Sequence, residues 1–308
     1  MSTPTHADVS AARDRIAGHV RRTPVLSVDG LWSEGSLEVK FEHCQLTGSF
    51  KPRGAFNTLL SSDVPEGGVV AASGGNHGAA VAHAAQALGH KAAIFVPELA
   101  GPAKIALIRA TGADLTVVPG LYADAMAAAE AHRAMTGAMQ IHAYDAPGTV
   151  VGQGTVMAEW EEQGLNADTV LIAVGGGGLI AGALTWLGGR RKVVAVEPEN
   201  APTLHAALRD GPETQVEVSG VAANALGATR IGRMCYDLAK ANDVTSVTVA
   251  DDAIIDAQRM IWQSIRQVVE PAGATALAAL TSGAYRPEPG EKVAILLCGA
   301  NPTQDPMG

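Results

Sequence analysis

Short apolar runs rich in β-branched residues alternate with alanine-rich stretches along the chain from about residue 69 onward. The runs near 69–73, 92–97, 114–119, 139–143, 169–174, 192–198, 244–249 and 292–298 predict strands. The stretches near 78–88, 102–111, 122–136, 150–163, 179–187, 201–209, 229–240, 251–267 and 272–282 predict helices. Alternation of this kind predicts α/β architecture: open, mostly parallel sheets with helices on both faces. Runs that are apolar throughout, such as 169–174 and 292–298, suit strands buried on both sides. Turn-rich joins at 61–68 and 144–149 bracket four strand–helix units. The expected organisation is a small α/β domain over 67–145, inserted between the two parts of a larger one, 1–66 and 146–308.

Composition narrows the function classes. Hydrophobic residues make up 47% but aromatics only 4%, so Ala, Val, Leu and Ile must build the interior. That apolar content, without polar low-complexity tracts, excludes a disordered chain. The formal charge of −9 and the lack of a basic run argue against nucleic acid as a partner. Cys44, Cys235 and Cys298 are odd in number and far apart, which is neither a disulfide framework nor a zinc pattern. No run of ~18 apolar residues and no signal-like N-terminus is present, so a cytoplasmic location with no membrane partner is expected.

Five motifs carry candidate chemistry. The first is Gly48-Ser49-Phe50-Lys51-Pro52-Arg53-Gly54-Ala55. Of seven lysines, Lys51 alone sits in a Gly/Ser turn that opens a helix, with Pro52 suited to the first helical turn. A helix N-terminus is a poor place for a cation, and the mismatch lowers an amine's pKa toward nucleophilic or Schiff-base chemistry. Read alone, the segment favours an ordinary exposed loop lysine. The second is Ser73-Gly74-Gly75-Asn76-His77-Gly78 between a strand and a helix. Its glycines admit close backbone approach and its N–H groups suit an anion; otherwise it is a plain βα turn with a solvated histidine.

The third, Gly175-Gly176-Gly177-Gly178, joins a strand to a helix and reads as a phosphate cradle. The same segment supports a rival. Gly176, Gly178 and Ala181 follow the dinucleotide spacing, and Glu197 ends the next strand where a ribose-binding acid would stand. A nicotinamide-dependent oxidoreductase is credible on that segment, but it leaves the first two motifs without a role. The fourth is Glu270-Pro271 opening a helix, either a cap or an active-site acid. The fifth is Cys298-Gly299-Ala300-Asn301 at the carboxyl end of an apolar strand, where ligands bind in open α/β sheets.

The five motifs occur in the order found in one family. From about residue 10 to its end the sequence resembles the pyridoxal-phosphate enzymes of the tryptophan synthase β fold (fold type II). The threonine/serine dehydratase and serine racemase branch is the nearest. The resemblance implies that pyridoxal 5'-phosphate is bound to Lys51 as a Schiff base, beside Phe50. It implies that Ser73, Gly74, Gly75, Asn76 and His77 bind the substrate carboxylate, with Asn76 also donating to the cofactor's 3-oxygen. Gly175, Gly176, Gly177 and Gly178 would hold the phosphate. Glu270 would flank the ring, and Cys298 would face the pyridine nitrogen as a neutral group.

The implied activity is an ammonia-lyase that converts L-threonine, L-serine or a related β-hydroxy amino acid to a 2-oxo acid and ammonia. Lys51 would remove the α-proton. A homodimer is implied as well. Racemases of the branch carry a serine as second base just before the Gly-Asn pair; here that position is Gly74, which favours dehydration. β-Replacement enzymes usually have threonine at the place of His77, which disfavours them. The branch's metal site would need Glu197 and an acid six residues on; that position is Thr203, so no metal is expected.

Overall fold

The computed structural model describes residues 3–32 and 35–301. In chain order the helices are α1 (His6–Ile16), α2 (Lys51–Leu60), α3 (Asn76–Ala87), α4 (Pro102–Arg109), α5 (Tyr122–Thr136), α6 (Pro147–Glu162), α7 (Gly178–Leu187), α8 (Thr203–Asp210), α9 (Ala223–Leu226), α10 (Arg233–Ala241), α11 (Asp251–Ile265) and α12 (Pro271–Thr281). The strands are β1 (Val25–Trp32), β2 (Gly35–Lys40), β3 (Val69–Ala72), β4 (Ala92–Pro97), β5 (Asp114–Val118), β6 (Met139–Gln140), β7 (Thr169–Ala173), β8 (Lys192–Pro198), β9 (Thr245–Val249) and β10 (Val293–Leu296).

They form two sheets. The larger has the order β1-β2-β10-β7-β8-β9 and the smaller β5-β4-β3-β6. Every pairing is parallel except the β1–β2 hairpin at the edge of the larger sheet. The mostly parallel α/β architecture read from the apolar alternation is therefore the observed one. Central strands β3, β7 and β10 are buried at every position, as strands covered on both faces must be. All four strands of the smaller sheet fall inside 67–145, and we propose that range as the inserted unit, with 1–66 and 146–308 forming the larger one.

Three helices that shape the site open on proline at their first turn: α2 at Pro52, α6 at Pro147 and α12 at Pro271. Proline there loses no intrahelical hydrogen bond and sets φ in advance. Between β10 and the N-terminus of α2 the chain is stitched by backbone bonds. Phe50 N–H donates to the Cys298 carbonyl at 3.2 Å and Ala300 N–H to the Gly48 carbonyl at 2.8 Å. These bonds fix Lys51 relative to Cys298 although 247 positions separate them in sequence.

Beneath Lys51, α2 is anchored by a buried charge cluster. Arg53 donates to Glu42 at 2.5 and 3.0 Å and to Glu159 at 3.0 Å. Lys40, fully buried, donates to the same Glu159 at 2.5 Å. Two cations and two carboxylates balance, which is what makes such burial tolerable. The N-terminal helix, the hairpin and this cluster have no counterpart in the apolar alternation. β1 mixes exposed Leu26 and Ser27 with buried Val28 and Leu31, so its period is irregular.

Candidate active site

The carboxyl ends of β3, β7 and β10 point toward one cleft, and the chain leaves each strand through one of the glycine-bearing motifs. Lys51, Phe50, Asn76, Gly175, Gly176, Gly177, Gly178, Glu270 and Cys298 line one pocket. Ser73, Gly74, Gly75, Asn76 and His77 line an adjoining cavity of about 410 Å³ that shares Lys51 and Gly176. Residues from five separate motifs thus meet in space.

Lys51 is half-buried, with Nζ over the ring of Phe50, 5.1 Å from its centroid. Its ammonium donates to the Ala143 carbonyl at 2.9 Å. Burial pulls its pKa down to about 8, against the opposing pull of Cys298 and Glu270. An amine held that low is partly neutral near pH 7 and able to accept a proton.

The four-glycine turn follows β7 and opens the ten-residue helix α7. Gly177 has φ +91°, which a side chain would strain. No side chain caps α7, so its first N–H groups are left for a ligand. The back of the turn is packed closed. A Cβ at Gly175 would stand 2.8 Å from Leu226 Cα, at Gly176 2.3 Å from the Tyr144 ring, at Gly177 2.4 Å from Cys235 Sγ, and at Gly178 2.9 Å from Tyr144 Cα. Glycine is required at all four positions. An uncapped helix start, a buried amine and a neutral thiol in one pocket fit pyridoxal phosphate: an anion site, a partner for the aldehyde carbon, and a partner for the ring nitrogen.

Three side chains around the pocket form a chain of hydrogen bonds. Asn301 Nδ2 donates to Asn76 Oδ1 at 2.8 Å and to the Thr47 carbonyl at 2.6 Å. Asn76 Nδ2 donates to Glu270 Oε1 at 2.6 Å. This leaves one Asn76 N–H uncommitted. Burial pushes the Glu270 carboxyl up to about 7, opposed by Lys104, by the Asn76 bond and by Lys51. Cys298, 3% exposed, donates to the Ala272 carbonyl at 3.4 Å. Burial pushes its thiol far above the usual range, so it stays neutral and is no thiolate nucleophile.

The side chains of His77 and Glu197 are both committed inside the protein. His77 lines the cavity, but its ring is committed elsewhere. Nε2 donates to the Ile141 carbonyl at 2.9 Å, and burial, then the Lys51 charge, pushes its pKa down to about 3. A neutral ring bonded to backbone is a poor carboxylate ligand, so only its N–H at the start of α3 remains for that task. Glu197, the ribose-binding acid of the nicotinamide reading, is fully buried. It accepts from the backbone N–H groups of Leu204 and His205, each at 2.7 Å, and from the Thr203 hydroxyl at 3.0 Å. The carboxylate thus caps α8 from inside the protein and cannot reach a ribose. Among the described residues no group of three or more His, Cys, Asp or Glu stands together as a metal cluster.

At Gly74 the neighbours, not the backbone conformation, exclude a side chain. Its φ is not positive, so the backbone would accept a side chain. The obstacle is steric: a Cβ would lie 2.2 Å from Ala100 Cβ and 2.8 Å from Val96 Cγ1. Sequence reasoning also passed over Asn301 as a site residue, although it closes the fifth motif, and over Tyr144, which lies in the turn-rich join.

Comparison with known proteins identifies a family. The family described as "Pyridoxal-phosphate dependent enzyme" matches residues 16–299. Phenylserine dehydratase of Ralstonia pickettii is 34% identical over 98% of this chain and 95% of its own length. L-threonine ammonia-lyase of Thermotoga maritima is 35% identical over 96% of this chain and 75% of its own. Among solved structures, maize serine racemase superimposes with a TM-score of 0.89 at 30% identity, covering 97% of this chain and 94% of that one.

Proposed function

We infer that this chain, which belongs to the family of pyridoxal-phosphate dependent enzymes, is an ammonia-lyase that removes water and then ammonia from a β-hydroxy amino acid. The observation that carries the reading is the meeting of Lys51, the uncapped four-glycine helix start, Asn76, Glu270 and Cys298 in one pocket. Lys51 would hold the cofactor, Gly175–Gly178 its phosphate, Asn76 its ring oxygen and Cys298 its ring nitrogen. When bound, the cofactor supplies an electron sink that makes the substrate's α-proton acidic.

The chain's own residues do the rest. Backbone N–H groups of Gly74, Asn76 and His77, at and just before the start of α3, bind the substrate carboxylate with the Ser73 hydroxyl beside them, while the Ser73 N–H is taken by the Phe95 carbonyl. Gly75 N–H already donates to Ser73 Oγ at 3.2 Å, which holds that loop closed. The Lys51 amine takes the α-proton, and its lowered pKa makes a neutral fraction available near neutrality that grows as pH rises toward 8. Departure of the β-hydroxyl leaves an enamine that loses ammonia in water. The products are pyruvate from serine and 2-oxobutanoate from threonine. A cytoplasmic homodimer is the proposed working state. Trp262 and Val268, 50% and 42% exposed, offer apolar surface for a second copy.

A racemase would need a proton donor on the face opposite Lys51, and Gly74 has none. L-Serine should therefore yield pyruvate with almost no D-serine, as chiral chromatography of the reaction will show. D-Serine formed as fast as pyruvate would overturn the dehydratase reading. Gly74→Ser should not rescue racemisation. Its Cβ collides with Ala100, and overpacking of this sort typically costs about 1–3 kcal/mol. The triple variant Gly74→Ser, Val96→Ala, Ala100→Gly relieves both close contacts and is the fair test of the added hydroxyl.

Cys298→Ser should keep most of its elimination activity. A hydroxyl preserves a neutral partner for the ring nitrogen, and exchanging one such hydrogen bond is worth about 1 kcal/mol, roughly fivefold in rate. Cys298→Asp should protonate that nitrogen and shift the visible absorption band. Complete inactivity of the serine variant with cofactor still bound would give the thiol a chemical role.

A further inference from the structure

The adjoining cavity has one end accounted for by Lys51 and the carboxylate loop. Its remaining walls include the apolar or aromatic Ala100, Leu121, Tyr122, Tyr144 and Ala228, with Lys104, Asn224 and Thr229 on the side of the α9 turn. Of six large apolar side chains left exposed among the described residues, two stand together here: Leu121 at 63% and Tyr122 at 54%. They begin α5, where Asp124 accepts from Leu121 N–H at 2.7 Å and fixes the first turn. Tyr144 faces them from the turn before α6. Its ring lies against the four-glycine turn and its hydroxyl donates to the Arg230 carbonyl at 3.4 Å. The volume, about 410 Å³, is that of a site for a whole small molecule.

With the amine and carboxylate of a substrate held at one end, these walls are what its β-carbon substituent must meet. The hydroxymethyl group of serine, or threonine with one methyl more, leaves them wet. We propose that the chain is selective for β-hydroxy amino acids whose β-carbon bears an aromatic or similarly bulky apolar group, with Leu121 and Tyr122 as the specificity-determining side chains. The inference rests on the ammonia-lyase reading and adds its substrate class. For 3-phenylserine the β-hydroxyl leaves as water, the resulting enamine tautomerises to an imine, and one water hydrolyses it to phenylpyruvate and ammonia.

Lys104 is the competing determinant, since its cation lines the same cavity and would suit a second carboxylate. The residue is largely buried, however, at only 4% exposed, and Nζ donates to the Asn224 carbonyl at 3.5 Å. Burial pulls its pKa down, opposed by the Glu270 carboxylate.

The test is kcat/KM of the holoenzyme for L-3-phenylserine, L-threonine, L-serine and 3-hydroxyaspartate, read as 2-oxo acid release. Phenylserine should exceed threonine roughly tenfold or more, the scale at which an apolar pocket discriminates. Leu121→Ala and Tyr122→Ala should each lower the phenylserine-to-threonine ratio several-fold. A readout without turnover is thermal stabilisation by L-phenylalanine, which has no β-leaving group. It should raise the Tm more than L-alanine does, and the two variants should lose that difference. Preference for threonine or serine would overturn the inference and leave the lyase reading standing. Preference for 3-hydroxyaspartate would overturn it in favour of Lys104. Failure of all four substrates to yield 2-oxo acid would sink the lyase reading itself.

Discussion

Lys51→Ala is expected to abolish turnover and to leave the purified protein without its bound cofactor band. Two functions are lost together. Among the described residues Lys51 is the one lysine lining the inner pocket, so no other lysine there can hold the cofactor. It is also the base at the α-carbon, a role worth roughly 10²- to 10⁴-fold in rate on its own. The fold should survive: the Nζ makes one hydrogen bond, to the Ala143 carbonyl, whereas α2 is anchored by Arg53 and its carboxylates. The two roles separate experimentally. Borohydride reduction of the wild type followed by digestion should place the label on the peptide containing Lys51. Added cofactor with a small primary amine should restore part of the variant's activity by supplying an external base. A label on Lys104, which lines the adjoining cavity, would overturn the assignment.

Much of this was legible in the sequence because parallel α/β structure announces itself twice. The strands are apolar on both faces, and the turns at their carboxyl ends are glycine-rich. β4 and β8 span the residues that the apolar runs predict, and helix α5 matches residue for residue. Where extents differ, the chain leaves the sheet to serve the site. The run 139–143 narrows to Met139–Gln140, since the next residues carry the Ala143 carbonyl to Lys51. The run 292–298 narrows to Val293–Leu296, and Cys298 lies beyond the strand, where it can face a ligand.

What stayed hidden is held by long-range contacts. Glu42, Arg53 and Glu159 come from three elements, and no local pattern reveals that they meet. The obstruction at Gly74 comes from Ala100 across a βαβ crossover. Glu197 carried a false signal: spacing placed it where a ribose ligand belongs, but only the structure shows its oxygens taken by the N-terminus of α8.

Gly176→Asp should be the most damaging change in the glycine turn, and it also tests which cofactor the turn holds. Two effects add. The Cβ would stand 2.3 Å from the Tyr144 ring, so ring or turn must move. The carboxylate would then lie at the uncapped start of α7, where the cofactor's phosphate is expected. Like charges about 4 Å apart repel by about 4 kcal/mol at an effective dielectric constant of ~20, roughly a thousandfold in Kd. Gly176→Ala carries the steric effect alone, and adding Tyr144→Ala should relieve it. The same relief should leave the aspartate variant's affinity low, because charge repulsion persists. The measurement is equilibrium titration of each apoprotein with pyridoxal phosphate, read from the absorption band, with circular dichroism to confirm folding. If the aspartate variant binds pyridoxal phosphate as the wild type does, and the wild type binds a nicotinamide dinucleotide that the variant loses, the turn belongs to a dinucleotide. In that case Lys51 would need another explanation. The buried Glu197 already makes that outcome hard to reach, since the acid a ribose would require is spent inside the fold.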